Sequence, residues 1–545
     1  MSTITAERPV STDRATRARL TGTGALIRLN LRRERVPLLA WVLGITAVAG
    51  STFSTIAALY PSEADRAALV SSIAVNPAFL AITGPISGNS IGAVSAWRVG
   101  AVGTSLIGLM SIFIVIRRTR ADEETGRTEL LSSAVVGRAA PLAAAVTVAV
   151  GASLTIGLLT ALAGIGNGQG AIGSIAFGAA MAGCGVVFAG VAAVAAQLAE
   201  NSRTAIGVAC GVLAAGYGLR AIGDVAQSLG WLTWLSPQGW AGHVSPFSEN
   251  NLAVLALFVI TAVGCLVVAG WLLDRRDLGL GLFPARLGPA TNPRLTGSGA
   301  LAVRLQRGSL IGWLVGMIAL GAVTGAVSST SDSLLTDNPQ LEELLAKIGG
   351  AGAITDMLLS TMGAIAGLVV GGYAVATALR MNSEESADRV APVLATSVSR
   401  QRWMAGHLVF VVAGPVLLLT AAGLVAGLLN GLQVDDFGQG FTAAVGAMVV
   451  QIPAALVLGG LAVALFGWLP RLAGLSWAAL VLALLVGQLG QLLQLPQWVI
   501  DISPYSHVPL VPTQDVRWTP LIILTVTAAA LIGAGIAGFR RRDVN

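Results

Sequence analysis

The side chains in this chain that could do chemistry are few, and they cluster. Residues 117–138, RRTRADEETGRTELLSSAVVGR, carry nine charges in 22 positions, although the whole chain is only 11% charged. Glu123 and Glu124 lie at the centre of that stretch, followed by Arg127 and Glu129. A second stretch, SEESADRVAPVLATSVSR, supplies Glu384, Glu385 and Arg389. Carboxylates mixed with guanidiniums make strong, directional contacts with another protein surface. They do not make a nucleophile and its base. Acids contribute little to membrane topology, whereas arginines enforce it. The paired glutamates therefore read as a contact surface, and the arginines around them as markers of the cytoplasmic side.

Other chemistry is hard to place. His243, His407 and His507 are scattered, with no acid or Cys at ligand spacing, so no metal site is expected. Cys184, Cys210 and Cys265 lie inside apolar runs and read as small buried hydrophobes. A phosphate-binding loop needs a lysine behind closely spaced glycines. The one lysine, Lys347 in EELLAKIGG, has no such loop before it. The expectation is a chain that is not an enzyme, holds no cofactor, and draws any ATP energy from a separate protein.

Composition sets the elements that must position these residues. The chain has 545 residues, is 54% hydrophobic, and has a mean hydropathy of +0.78. A soluble protein of this size is about one quarter charged. Crossing a bilayer takes about 20 mostly apolar residues in a helix. Such stretches recur at 36–59, 97–116, 139–163, 171–198, 204–223, 252–273, 308–329, 358–379, 404–429, 440–467, 472–493 and 519–539. The alternating ten-residue segments of a barrel are absent. The pattern predicts an all-α polytopic membrane protein with about twelve transmembrane helices. Residues 1–20 read as a mobile cytoplasmic tail. With the N-terminus inside, 28 of the 33 Lys and Arg fall on the cytoplasmic side, the positive-inside pattern. Both termini are thus expected in the cytoplasm. The net charge of +6 reflects topology rather than nucleic-acid binding.

The chain also repeats itself. TGTGALIRL at 21 returns as TGSGALAVRL at 296, the acidic loop at 122 returns at 383, WLTWLSPQGW answers WVIDISPYSH, and DRRD at 274–277 answers RRRD at 540–543. The shared order predicts two six-helix halves, 21–277 and 296–545, joined by a cytoplasmic linker at 278–295. Six spans per half is an even number, so the halves would be parallel repeats with a pseudo-twofold axis along the membrane normal.

The spans hold few ionisable groups. Arg220 and Asp224, four residues apart on one helix, form either a local ion pair or a coupling site. A transport path would be apolar with sparse polar groups, and Phe53, Trp97, Tyr217, Tyr373, Gln488 and Gln491 are candidates to line it. Gln488, Gln491 and Gln494 recur every three residues, which suits helix–helix hydrogen bonding as well as substrate contact. Trp231, Trp234, Trp240, Trp498 and Trp518 read as anchors at the outer membrane interface.

With those residues placed, EETGRTELLSSAVVGR resembles the coupling-helix region of bacterial type-2 ABC exporter permeases. ALIRLNLRRERVPLLAW, LSPQGW and the six-plus-six order resemble one branch, the actinobacterial and mycobacterial polyketide-antibiotic (tetronasin-type) and multidrug efflux permeases. The resemblance covers the chain beyond its first twenty residues. It implies a connecting helix at 22–35, coupling elements at 121–134 and 382–396, and outer caps at 224–250 and 491–518. It further implies two copies of a separately encoded ABC ATPase that bind ATP and Mg. A small hydrophobic or amphipathic substrate would pass between spans 1, 2 and 5 of one half and 7, 8 and 11 of the other, within a bacterial plasma membrane. In the second loop Ala387 and Asp388 stand where the first has Gly126 and Arg127, and Pro392 interrupts the expected helix, so the two coupling contacts should be unequal. The competing expectation from the span pattern is a twelve-span proton-coupled drug antiporter.

Overall fold

Long apolar runs separated by Gly, Pro and charge give long helices joined by short turns. The computed structural model describes residues 19–74, 77–127, 135–276, 281, 297–327, 351–434, 436–489 and 496–542. The long helices of the first unit are α1 (Thr23–Leu59), α2 (Ile91–Arg118), α3 (Ala140–Gly166), α4 (Ala171–Leu198), α5 (Ser202–Val225) and α6 (Leu255–Arg275). Those of the second are α7 (Ser298–Val327), α8 (Ala351–Ser386), α9 (Arg400–Gly431), α10 (Phe437–Trp468), α11 (Leu475–Leu489) and α12 (Trp518–Arg541). Among the described residues, eleven helices are long and apolar enough to cross a membrane. The chain is an all-α polytopic membrane protein. The predicted span over 472–493 is represented by α11, whose fifteen residues end where residues 490–495 fall outside the described ones.

Two elements differ from expectation. The connecting helix at 22–35 and the first span are one continuous helix of 37 residues with Pro37 inside it. Proline removes a rung of the hydrogen-bond ladder; the turn before it is instead gripped from the side through Arg33 and Glu34, as described below. In the second unit, Glu384 and Glu385 do not open a helix. They sit in the last turn of α8, and a separate five-residue helix, Val390–Leu394, follows. Pro392 lies within that short helix, in a first turn where its missing N–H costs no hydrogen bond.

The chain divides into two compact units, Met1–Gly288 and Pro289–Asn545. Within the first, α4 is central and packs on α2, α3, α5 and α6. Its alanines and glycines permit this. A Cβ on Gly157 of α3 would lie 2.4 Å from the Gly178 carbonyl of α4, and one on Gly178 would lie 2.2 Å from the Gly157 carbonyl. Lipid offers no hydrophobic drive between helices, so such backbone contact supplies the attraction. Within the second unit α10 has the same role, packing on α8, α9 and α12. The first helix of each unit packs on the third, α1 on α3 and α7 on α9.

The segments after α5 and α11 turn on a repeated Ser-Pro pair. Ser236 accepts a hydrogen bond from the Gly239 amide and caps the helix Pro237–His243. Ser503 accepts one from the Tyr505 amide at the start of the turn Pro504–His507. Both use a serine N-cap with proline at the first helical position. Trp231, Trp234, Trp498 and Trp518 are exposed, as interface anchors must be, but Trp240 is buried. Its ring meets Phe258 edge-on at 5.4 Å and its indole N–H donates to the Trp234 carbonyl, so it packs the cap instead of anchoring it.

Candidate functional site

The charges of the first acidic loop converge at the end of the bundle rich in arginine. After α2 the chain breaks at Thr119 and forms a short helix, Arg120–Glu124, with Asp122 and Glu123 in its first turn, where negative charge suits the helix dipole. Glu123 accepts two hydrogen bonds from Arg276, at 2.6 and 2.9 Å, and one from Arg120 at 2.6 Å. Arg276 also donates to Gln197 of α4 at 2.6 Å, and Arg120 donates to the Glu200 carbonyl at 2.8 Å. Asp122 receives Arg33 of α1 through two hydrogen bonds of 2.8 and 2.9 Å. Glu124 accepts from the amide and hydroxyl of Ser202, at 3.1 and 2.6 Å, at the first turn of α5.

One turn away, Glu34 of α1 is buried and paired with Arg118 at 2.5 Å and Arg117 at 3.4 Å. A buried charge without a partner is strongly destabilising, and here both Glu34 and Arg120 are paired. Five residues thus fasten α1 at Arg33, the end of α2, the chain just past α4 and α6, and the start of α5.

The second unit repeats this relationship with a shift in register. Arg542, just past α12, donates to Glu385 at 2.5 and 2.7 Å. The carbonyl of Arg542 accepts from Arg400 at the start of α9, as the carbonyl of Arg276 accepts from Arg138 just before α3. Arg389 approaches Glu384 at 3.7 Å, as Arg127 approaches Asp122 at 3.4 Å. Glu123 therefore corresponds to Glu385, Asp122 to Glu384, and Arg127 to Arg389. The expected register, with Ala387 and Asp388 at the places of Gly126 and Arg127, is off by one. Gly126 (φ +70°) corresponds to Asp388 (φ +52°), and each amide donates to the carbonyl of the matched glutamate at 3.0 Å. Glycine and Asp are residues that enter this left-handed region more readily than most.

The geometry also separates inward from outward side chains. The carboxylates of Glu123 and Glu385 are engaged within the protein, Glu124 is exposed and bonded to Ser202, and Arg127 and Arg389 are 58% and 66% exposed. Glu129 lies outside the described residues. Arg33, Glu34, Gln197, Arg276 and Arg542 were not singled out from the sequence. Their partners lie 79 to 157 positions away, and the one available signal was the matching DRRD and RRRD at the ends of the repeats.

Four of the path candidates have described side chains. Phe53 is buried, edge-on to Phe177 at 6.5 Å and Phe247 at 6.1 Å. Tyr373 is buried, edge-on to Trp313 at 5.8 Å, with its ring against Gly414. Trp97 donates to the Gly84 carbonyl at 2.8 Å and lines a cavity, and the Tyr217 hydroxyl donates to the Ile82 carbonyl. Gln491 and the Gln488 side chain lie outside the described residues. Arg220 and Asp224 form a local pair at 3.2 Å, and Arg220 also donates to the carbonyls of Ala81 and Ile82.

Comparison with known proteins identifies the lineage. The family described as "Multidrug efflux system permease Rv1217c, C-terminal domain" matches residues 25–273 and 295–540. The chain is 40% identical over 526 residues to "Multidrug efflux system permease protein Rv1217c" of Mycobacterium tuberculosis (strain ATCC 25618 / H37Rv), covering 96% of this chain and 95% of that protein. With its many apolar helices and two matched stretches of near-equal length, the chain belongs to the Rv1217c family of multidrug efflux system permeases.

Proposed function

We propose that this chain is the permease subunit of an ATP-driven exporter that moves hydrophobic or amphipathic drugs and polyketide-like compounds out of the cell. In this reading it is a type-2 ABC exporter permease of the tetronasin-type branch, set in the bacterial plasma membrane with both termini cytoplasmic. Two copies of a separately encoded ABC ATPase bind ATP and Mg and push on the chain. The observation that carries the reading is the attachment of the Arg120–Glu124 helix. Force on these five residues reaches α1 through Arg33, α5 through Glu124 and α6 through Arg276. In the second unit the turn after Glu385 is attached to the end of α12 through Arg542. The exposed Arg127 and Arg389 are side chains placed to meet the ATPase, and the engaged glutamates transmit its motion. The family relationship supports drug efflux as the outcome.

The test is efflux of a fluorescent lipophilic dye from vesicles holding the permease with its ATPase. Efflux should require ATP hydrolysis and survive collapse of the proton gradient. Efflux that needs no ATP and stops when the proton gradient is collapsed would establish the antiporter instead.

A further inference from the structure

The first unit contains a cavity of about 310 Å³ between α2, α4, α5, residues 83–87 and the cap at 238–249. That volume lies at the lower end of pockets that hold small drug-sized molecules, about 300–1,000 Å³. Trp97, Phe177 and Met181 supply its apolar wall. Among the described residues, Arg220 is the one arginine or lysine in the lining, and Asp224, also in the lining, balances its charge. Arg220 donates to two carbonyls, lies 4.5 Å over the Tyr217 ring, and pairs with Asp224.

Glu249 is therefore the charge left over. It is exposed in the rim loop that follows Pro237–His243. Burial pulls the His243 imidazole below its ordinary pKa, so it stays neutral at neutral pH and does not cancel that carboxylate.

The loop that presents Glu249 is built at a cost. Ser245, Phe247 and Asn250 hold positive φ angles of 46°, 63° and 51°. Non-glycine residues in that region persist only where their surroundings fix them, and such strain gathers at ligand clamps. Here the surroundings do fix them. The Asn250 side chain accepts from the Phe247 amide at 2.9 Å, and the Phe247 ring lies where a Cβ on Gly92 or Gly173 would fall, at 2.5 and 2.4 Å.

We propose that this cavity is a binding site for an amphipathic organic cation, with its charge at Glu249 and its apolar body against Trp97, Phe177 and Met181. A cation is favoured over an anion because the uncancelled charge is negative and aromatic faces attract cations. The inference deepens the exporter reading by naming a substrate class. Its test reads binding rather than transport, so each can fail without the other.

The experiment is equilibrium dialysis of the full-length protein in lipid nanodiscs with tetraphenylphosphonium, and with tetraphenylborate as an anion of the same shape. Saturable binding of the cation at one site per chain is expected, with at least about fivefold weaker binding of the anion. Glu249→Gln should weaken cation binding about fivefold, and Glu249→Lys should weaken it further. Equal binding of both ions, unchanged affinity in Glu249→Gln, or no saturable binding to the unaltered protein would each overturn the proposal. Should Glu249→Lys fail to fold, Glu249→Gln alone decides.

Discussion

Arg276 grips Glu123 with two hydrogen bonds across 153 residues, one from each terminal nitrogen, and Arg542 grips Glu385 with two from Nη2 alone across 157. Each arginine follows the last helix of its unit, and each acid lies where the second helix gives way to the loop.

Removing one of these arginines separates their structural from their functional role. Arg276→Met deprives Glu123 of two charge-assisted hydrogen bonds but leaves it Arg120, so a loss of about 1.5–3 kcal/mol is expected. Glu123→Gln combined with Arg276→Met should cost less than the sum of the two single changes. Thermal unfolding of the detergent-solubilised protein measures both. A stable Arg276→Met variant with full ATPase coupling would remove this pair from the mechanism.

Arg127 and Arg389 should behave in the opposite way. Both are mostly exposed, so Arg127→Glu and Arg389→Glu should leave the unfolding temperature close to that of the unaltered protein. Docking of the ATPase should weaken by about tenfold, or ~1.4 kcal/mol, for each reversal. Co-purification yield and substrate-stimulated ATP hydrolysis report the change; undiminished docking in the double variant would exclude these arginines as the contact.

The matched turn residues predict a reciprocal pair. A Cβ on Gly126 would meet nothing within 4 Å, so its φ of +70° is the whole obstacle to substitution. Gly126→Ala should destabilise by about 1 kcal/mol. Asp388→Gly should cause no loss, because Asp388 tolerates φ +52° less well than glycine would. Urea titration of both variants tests this.

Close packing of α3 on α4 predicts a much larger effect. Leucine at Gly178 has no space beside the Gly157 carbonyl, and the helices must part. A loss of at least about 1–3 kcal/mol follows, with a fall in the yield of monodisperse protein on size-exclusion chromatography. Gly126→Ala serves as the mild control.

The cap after α5 should respond to pH through His243. Its ring stacks on Trp234 at 4.0 Å, its Nε2 lies 2.7 Å from the Thr233 hydroxyl, and burial lowers its pKa. For a base held below its unfolded value, the unfolded state binds the proton first. The stabilisation is then complete above about pH 6.5 and is lost as pH falls towards the depressed folded value. Protection factors of the amides in 227–243, taken relative to the intrinsic exchange rate at each pH, should fall below that pH in the unaltered protein, and this dependence should vanish in His243→Phe.

The helices were legible because hydropathy alone sets a membrane span. What joins them was not. Glu34 reads as one acid among the basic residues of LRRERVP, and nothing local announces that Arg118 will reach it. The connecting helix expected at 22–35 and the span expected from 36 are one helix, and α1 runs through Pro37. The two acidic loops were matched by their Glu-Glu pairs, whereas the backbone matches them by the left-handed residue. That residue is glycine in one and Asp in the other, so letter identity misled by one position. Trp240 shares its residue type with the anchors, and only the position of Phe258 distinguishes it.

The unbroken run of α1 has a mechanical meaning. Thirty-seven residues at about 1.5 Å each make a rod of about 55 Å, nearly twice the ~30 Å of the hydrocarbon layer. Arg33 and Glu34 hold that rod about a third of the way along. The rod is therefore long enough to join the charged cluster directly to the far side of the hydrocarbon layer, with Leu59 at its other end.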